Sequence, residues 1–154
     1  MAKQDPINPT DDAARQLARD ILNKTRYGAL AVTGQDGAPY VARVAMLADQ
    51  ASILTLISTL SAHTTVLQSN DRCAALLGEP TGKGAPLTHP RLTLSCEAAR
   101  ADKAALKEKW LQAIPKAKLY YDFGDFLMYR LTPYEIHLNG GFGKAFRLKP
   151  ADLL

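Results

Sequence analysis

Short apolar segments separated by turn residues make up most of the chain between residues 27 and 100, and this pattern limits the fold more than any other feature. The sequence Gly34-Gln35-Asp36-Gly37 predicts a hairpin, because its glycines accept positive φ angles. The hairpin joins two predicted strands, at residues 27–33 and 40–47. Further strands are predicted at 52–57, 72–77 and 91–100, and a final hairpin is predicted from 126–131 and 134–138 around Thr132-Pro133.

Apolar residues at helical spacing predict three helices, at 10–24, 62–69 and 102–114, with Thr10 and Ser61 starting the first two. Three glycines and three prolines within residues 78–90 predict a long surface loop. Because strands dominate without regular strand–helix alternation, a doubly wound sheet is disfavoured. The predicted fold class is mainly β (α+β), an antiparallel barrel of six or seven strands with peripheral helices. Residues 1–9 are expected to form a flexible arm, and residues 10–154 a single domain.

The composition is that of a globular domain, with 47% hydrophobic and 22% charged residues. No apolar run approaches the ~20 residues needed to cross a bilayer, and no leading segment resembles a signal peptide. Two cysteines are too few for a disulfide scaffold. A cytoplasmic location without a membrane partner is therefore expected.

The net charge of +4 comes from 19 basic and 15 acidic side chains, and the basic excess lies in the second half of the chain. Such an asymmetry suits an anionic partner, although a solvated lysine face on a helix explains it more simply. The lysines lack interleaved aromatic residues, so we expect no nucleic-acid partner.

The residues that commonly bind metals or act as nucleophiles are scattered. His63, His89 and His137 are far apart in the sequence and match no zinc-site spacing, so no metal site is predicted. Cys73 and Cys96 lie in apolar strands, so we expect both thiols to be buried and unreactive. His137 also lies in a predicted strand and reads as a structural histidine.

Residues 58–65 carry hydroxyl groups and one imidazole where a predicted strand leads into a helix. Unpaired N–H groups of a helix N-terminus, joined by such side chains, form a site for an anion such as phosphate. Arg43, within an otherwise apolar strand, needs an anionic partner or access to solvent. The alternative is a helix capped by serine and threonine, with one arginine at the barrel rim.

Five short motifs occur in order within residues 14–148. They are Ala42-Arg43-Val44-Ala45-Met46, Ile57-Ser58-Thr59-Leu60-Ser61-Ala62-His63-Thr64, Pro90-Arg91-Leu92-Thr93-Leu94, Tyr121-Asp122-Phe123-Gly124-Asp125-Phe126 and Gly140-Gly141-Phe142-Gly143-Lys144-Ala145. Each motif alone is weak, but in this order they resemble the flavin-binding split barrels related to pyridoxamine 5'-phosphate oxidase. The match is to the branch that includes the haem-utilisation proteins.

This resemblance implies a split β-barrel homodimer with FMN at the subunit interface. It implies that the backbone of residues 43–46 lies along the flavin ring and that Arg43, Ser58, Thr59, His63 and Thr64 surround the phosphate. Arg91 and Lys144 are implied to approach the flavin. The full set of implied cofactor-binding residues is Arg43, Val44, Ala45, Met46, Ser58, Thr59, Leu60, His63, Thr64, Arg91 and Lys144.

The chain departs from the family pattern in two places. Relatives often carry a basic residue and an asparagine where this chain has Thr65 and Val66, so one phosphate cation is missing. The haem-degrading members bind iron through a histidine in a C-terminal extension, and no histidine follows His137 here. Little or no haem degradation is therefore expected.

The function predicted from the sequence is FMN binding, as in a flavin-dependent oxidoreductase acting on an unidentified small substrate. The alternative is a non-enzymatic protein that binds or stores flavin or haem. Haem or a deazaflavin in place of FMN stays open, and no side chain is assigned a catalytic role.

Overall fold

The computed structural model describes residues 5–154, and its helices are α1 (Asp12–Lys24), α2 (Ala62–Ser69) and α3 (Lys107–Ala113). No helix in this range combines the length and apolar character that crossing a bilayer requires. Three 3-10 segments are Pro86–Thr88, Pro115–Leu119 and Pro150–Leu153. The strands are β1 (Ile7–Asn8), β2 (Tyr27–Thr33), β3 (Pro39–Ala45), β4 (Leu47–Asp49), β5 (Ser52–Ser58), β6 (Arg72–Leu77), β7 (Arg91–Arg100), β8 (Phe126–Asn139) and β9 (Ala145–Leu148).

The strands close into a barrel at the corner between β3 and β4, which are separated only by Met46. β3 pairs with β2, whereas β4 pairs with β5. From β5 the pairing runs through β8, β7 and β6 back to β2, and every pair is antiparallel. This ring confirms the predicted mainly-β barrel, and its closure satisfies strand edges that would otherwise be open.

Alternating burial along the strands defines the interior of the barrel. In β2, Gly28, Leu30 and Val32 are buried, whereas Tyr27 and Thr33 are exposed. Since neighbouring residues of a strand point to opposite faces, one face of β2 lines the core and the other faces outwards. The buried faces of the strands and of α1 form the main core, which includes Leu22, Leu30, Met46, Ile53, Leu92, Leu94, Leu131 and Leu138.

A second core lies outside the barrel, where α3 and the segment Pro115–Leu119 cover β4, β5 and β8. Trp110 and Tyr121 are its largest side chains, and both are fully buried. β5 is therefore covered on both faces, and six of its seven residues are buried. This double burial explains why residues 52–57 form a continuous apolar run instead of an alternating one.

The predicted hairpin around Thr132-Pro133 is wrong, because β8 continues through both residues. Ser95 of β7 pairs with Glu135 and Cys96 pairs with Pro133, so Tyr134 is the extra residue of a bulge. A proline without an N–H group is tolerated at a bulge. β8 can therefore pair with β5 near its start and with β9 near its end.

The first and third helices begin at other residues than the sequence predicted. Asp11, not Thr10, caps α1, because its side chain accepts from the N–H of Ala14. The third helix begins only at Lys107, and the carbonyl of Lys103 before it accepts from the hydroxyl of Tyr121.

β1 and β9 were not predicted, and they raise the strand number to nine within residues 5–154. Ile7 and Asn8, assigned by sequence to a flexible arm, pair in parallel with β9. The hydroxyl of Thr10 donates to the carbonyl of Arg147, which also holds this segment in place. Residues 1–4 of the expected arm lie outside the described residues.

Candidate functional site

Six residues from six paired strands form one row on the surface opposite the main core, and we call this surface the outer face. Directly paired residues point to the same side of a sheet, so the row is continuous across about 24 Å of sheet. None of the six side chains is buried. In order from β3 to β9 they are Arg43, Ala29, Leu76, Thr93, His137 and Arg147.

The outer face exposes large apolar side chains near Arg43. Val41 is 63% exposed, and Tyr27 and Leu76 are each 47% exposed. The small residues Ala29 and Ala31 lie between them on β2 and pair with Arg43 and Val41. Apolar side chains grouped in this way on one face indicate a contact surface rather than ordinary solvent exposure.

The side chain of Arg43 is exposed to solvent and also lies near an acidic side chain, so it meets the expectation for an arginine in an apolar strand. Its side chain is 76% exposed, and its Nη2 lies 3.9 Å from Oε1 of Glu79. The guanidinium also lies 5.8 Å from the centre of the Tyr27 ring. Sequence reasoning missed Glu79, which lies in the long loop with no motif around it.

The other three residues of the 43–46 segment offer little to a ligand. The side chains of Val44 and Met46 are buried in the main core. The carbonyl of Ala45 accepts from the hydroxyl of Thr55, and the N–H of Met46 donates to the carbonyl of Arg26. A ligand on the outer face therefore meets Arg43 and the side chain of Ala45 in this segment.

Residues 58–60 form a turn held by Asp125, which sequence reasoning did not single out although it lies in the fourth motif. The hydroxyl of Ser58 donates to Oδ2 of Asp125 at 2.7 Å, and it accepts from the N–H of Leu60. The N–H of Thr59 donates to the carbonyl of Asp125. A phosphate at Ser58 would therefore face a carboxylate, which opposes its binding there.

His63 and Thr64 follow in the first turn of α2, and both are buried against the barrel. The hydroxyl oxygen of Thr64, a residue with 0% exposure, has no hydrogen-bond partner within residues 5–154. Ser61 precedes the helix without a capping side-chain bond. Burial lowers the pKa of His63, so its imidazole is neutral at pH 7 and supplies no positive charge.

Arg91 and Lys144 line one cleft between the long loop and the glycine-rich turn. The Nη1 group of Arg91 donates to the carbonyls of Leu87 and His89 and so holds the end of the loop. Phe142, at the tip of the glycine-rich turn, also lines this cleft and is fully exposed. The cleft therefore combines two cations with exposed apolar surface.

The predicted site residues fall into separate groups within one chain. Ser58 and Phe126 are paired at the start of β8, whereas Arg91 pairs with Asn139 at its end. These ends lie up to about 40 Å apart along a strand of this length. Within the described residues, no group of three or more His, Cys, Asp or Glu side chains is placed to hold a metal ion.

No family model matches the chain. The chloroplastic heme oxygenase HOZ of Arabidopsis thaliana is 31% identical over 135 residues, covering 83% of this chain and 40% of that protein. The chain thus spans less than half the length of this curated relative.

Solved structures share the same fold. One superposes with a TM-score of 0.88 at 35% identity, over 96% of this chain and 99% of its own. A heme binding protein from Mycobacterium smegmatis gives 0.84 at 25% identity, over 96% of this chain and 61% of its own. A putative pyridoxamine 5'-phosphate oxidase from Listeria innocua gives 0.66 at 18% identity, over 82% of this chain and 98% of its own. These likenesses confirm the split-barrel resemblance.

Proposed function

Because this chain belongs to the split β-barrel proteins related to pyridoxamine 5'-phosphate oxidase, we propose that it binds haem on its outer face, between two copies of the chain. Two relatives support haem as the ligand, since one is named a heme oxygenase and the other a heme binding protein. The observation that carries the proposal is the outer face, where the exposed apolar side chains of Tyr27, Val41 and Leu76 are grouped near Arg43.

The chemistry of the outer face fits haem, which is a flat apolar ring with two propionate carboxylates. Tyr27, Val41 and Leu76 offer apolar contact for the ring. Arg43 offers a cation for a propionate, and a guanidinium binds a carboxylate through charge-assisted hydrogen bonds. The Arg43–Glu79 pair is exposed and long, so exchanging Glu79 for a propionate costs little.

A second copy of the chain would complete this site. A flat ligand on an open sheet keeps one side in water, whereas ligand sites usually bury most of the ligand surface. A two-fold homodimer, the commonest symmetric assembly, covers that side with the second copy.

The chain's own residues would hold and shield the ligand. Arg43 would bind a propionate, and the apolar side chains of both copies would exclude water from the ring. Haem bound there would supply the redox chemistry of its iron.

Haemin titration combined with sedimentation velocity tests this proposal. The Soret absorbance is expected to sediment with a particle of twice the mass of one chain. Arg43→Ala is expected to weaken haemin binding about tenfold, because it removes one charge-assisted hydrogen bond and the loss of such a bond lowers affinity by about this factor. Lys118→Ala, which removes an exposed cation on the Pro115–Leu119 segment, is the control and should bind haemin like the unaltered protein. A monomer, or a protein that stays colourless, would show the proposal to be wrong.

FMN is the second candidate ligand, and one observation favours it. The buried hydroxyl of Thr64 has no partner within residues 5–154 and lies in the first turn of an uncapped helix. Free N–H groups and a hydroxyl at such a position bind phosphate. In this reading the protein is a flavin-dependent oxidoreductase, and Ser58 is not a phosphate ligand because it is bonded to Asp125.

Thr64→Val separates a phosphate site from a purely structural threonine. Valine keeps the shape and removes a hydroxyl that has no partner, so the free energy of unfolding without ligand should rise by about 1 kcal/mol. FMN affinity should fall about tenfold while riboflavin affinity is unchanged, since riboflavin has no phosphate. Calorimetric titration and urea unfolding measure both effects.

Thr65→Val changes the exposed neighbour and is the matched control. Equal losses of FMN and riboflavin in Thr64→Val would exclude a phosphate contact at this hydroxyl. If FMN binds, bleaching of the flavin by reduced nicotinamide distinguishes an oxidoreductase from a carrier.

A further inference from the structure

The cleft between the long loop and the glycine-rich turn carries positive charge that no acidic lining residue balances. Arg91 and Lys144 supply two cations, and no aspartate or glutamate within residues 5–154 lines the cleft. Lys144 is exposed and takes part in none of the ion pairs of these residues. Asp5, next to the lining residue Pro6, accepts from the N–H of Ile7. A cleft of about 420 Å³ with this charge suits an anionic ligand.

Arg91 is held in place while part of its guanidinium stays available. Its Nη1 donates to the carbonyls of Leu87 and His89, at 2.9 and 3.4 Å. A guanidinium has five N–H groups, and these bonds use only the two on Nη1. The N–H groups on Nε and Nη2 have no partner within residues 5–154, and their geometry matches two oxygens of a phosphate.

The glycine-rich turn, residues 140–144, adds backbone donors beside Lys144. The N–H of Lys144 donates to the carbonyl of Gly141 at 3.1 Å, and the carbonyl of Gly143 accepts from the side chain of Asn8 at 2.8 Å. These bonds hold the turn but leave the N–H groups of Phe142 and Gly143 without a partner within residues 5–154. Both residues line the cleft, so an anion there meets free backbone donors as well as cations.

The two walls of the cleft present exposed apolar side chains. Phe142 in the turn is fully exposed, and Leu87 in the long loop is 76% exposed. The walls meet closely at one point, because the carbonyl oxygen of Thr88 lies 3.3 Å from the position that a Cβ of Gly141 would take. An exposed aromatic ring beside cations is the arrangement on which a nucleic-acid base stacks while its phosphate is bound.

We propose that this cleft binds a nucleoside phosphate, with the base against Phe142 and the phosphate on Arg91 and Lys144. Inorganic phosphate alone would leave the apolar walls in water, whereas a nucleotide supplies both a flat ring and an anion. The inference goes beyond the proposed function and does not depend on it. The cleft lies at the ends of β7 and β8, whereas the surface proposed for haem lies on β2, β3 and β6.

Calorimetric titration with ADP, adenosine and inorganic phosphate tests the proposal, since the last two each represent one half of the probe. ADP is expected to bind at least tenfold more tightly than either. Lys144→Ala should weaken ADP about tenfold and leave adenosine unchanged. Lys118→Ala removes another exposed lysine and is the matched control, so it should bind ADP like the unaltered protein.

Nuclear magnetic resonance of bound ADP tests the stacking of the base. The ring of Phe142 should shift the base protons upfield, and Phe142→Leu should remove this shift and weaken ADP about tenfold without affecting inorganic phosphate. Phe123→Leu replaces a phenylalanine that is 57% exposed and does not line the cleft, so it should keep the shift. The replaced side chains are exposed, and equal thermal unfolding midpoints confirm that every variant is folded.

Three results would overturn the assignment. ADP that binds no more tightly than inorganic phosphate would reveal simple attraction of anions. ADP affinity that both Lys144→Ala and Phe142→Leu leave unchanged would exclude this cleft as the site. FMN that binds with a loss in Phe142→Leu, while ADP does not bind, would make the cleft part of a flavin site. A failure to bind haemin would count against the proposed function alone.

Discussion

Trp110→Ala is expected to lower the free energy of unfolding by about 3–5 kcal/mol, as is typical for removing a large aromatic side chain from a core. Trp110 is fully buried and is the largest side chain of the second core. The elements around it, α3 and the Pro115–Leu119 segment, are short and cannot be stable without this packing. Urea denaturation followed by circular dichroism measures the loss.

Trp110→Phe is the matched variant for this prediction. The Nε1 group of Trp110 has no hydrogen-bond partner within residues 5–154, so phenylalanine removes volume but no described hydrogen bond. Its cost should therefore be well below that of alanine. A similar loss for both variants would mean that the indole N–H, rather than apolar packing, stabilises this core.

Gly78→Ala is expected to lower the free energy of unfolding by about 2–6 kcal/mol, because strain and overlap act together. Gly78 has φ +99, and a Cβ there would lie 2.5 Å from the carbonyl oxygen of Pro90 and 2.9 Å from Cα of Arg91. Both contacts are with backbone at the start of β7, which cannot move without disturbing the barrel. Thermal and urea unfolding measure the effect.

Gly124→Ala is the control, since a Cβ at Gly124 meets nothing within 4 Å and its φ is not positive. It should change the free energy of unfolding by no more than about 0.5 kcal/mol. Because a Cβ at Gly78 would overlap the backbone of Arg91, Gly78→Ala should also weaken the binding of any ligand that contacts Arg91. If Gly78→Ala and Gly124→Ala have the same free energy of unfolding, the backbone of the loop and of β7 can shift at little cost to make room for the Cβ, and the prediction is wrong.

The family resemblance, drawn from five motifs, predicted the fold correctly and named Arg43, Arg91 and Lys144, which the structure places on or beside the outer face. It also named Val44 and Met46 for a contact through their backbone, which stays a prediction, and their side chains are in the core. Motif spacing carries a residue's position along the chain but not the direction of its side chain. Met46 is the single residue between β3 and β4. The direction of its side chain depends on the backbone of this corner, which the motif does not specify.

Four elements have the bounds that local sequence patterns predicted, and they are β2, α2, β6 and β7. Strand alternation, helical spacing and turn residues act over a few positions, so a sequence can carry them by itself. The course of β8 through Pro133 was different, because pairing with β5, β7 and β9 outweighed a local turn signal.

The tertiary structure alone decided which charges face the candidate ligand positions. Asp125 accepts from Ser58, 67 residues away in the chain. Glu79, which follows β6, lies beside Arg43 of β3 although β2 separates these two strands. His137 reaches the outer face only because β7 and β9 pair with β8 in one register. A shift of one residue would turn it into the core, and that register depends on hydrogen bonds between strands distant in sequence rather than on the residues next to His137.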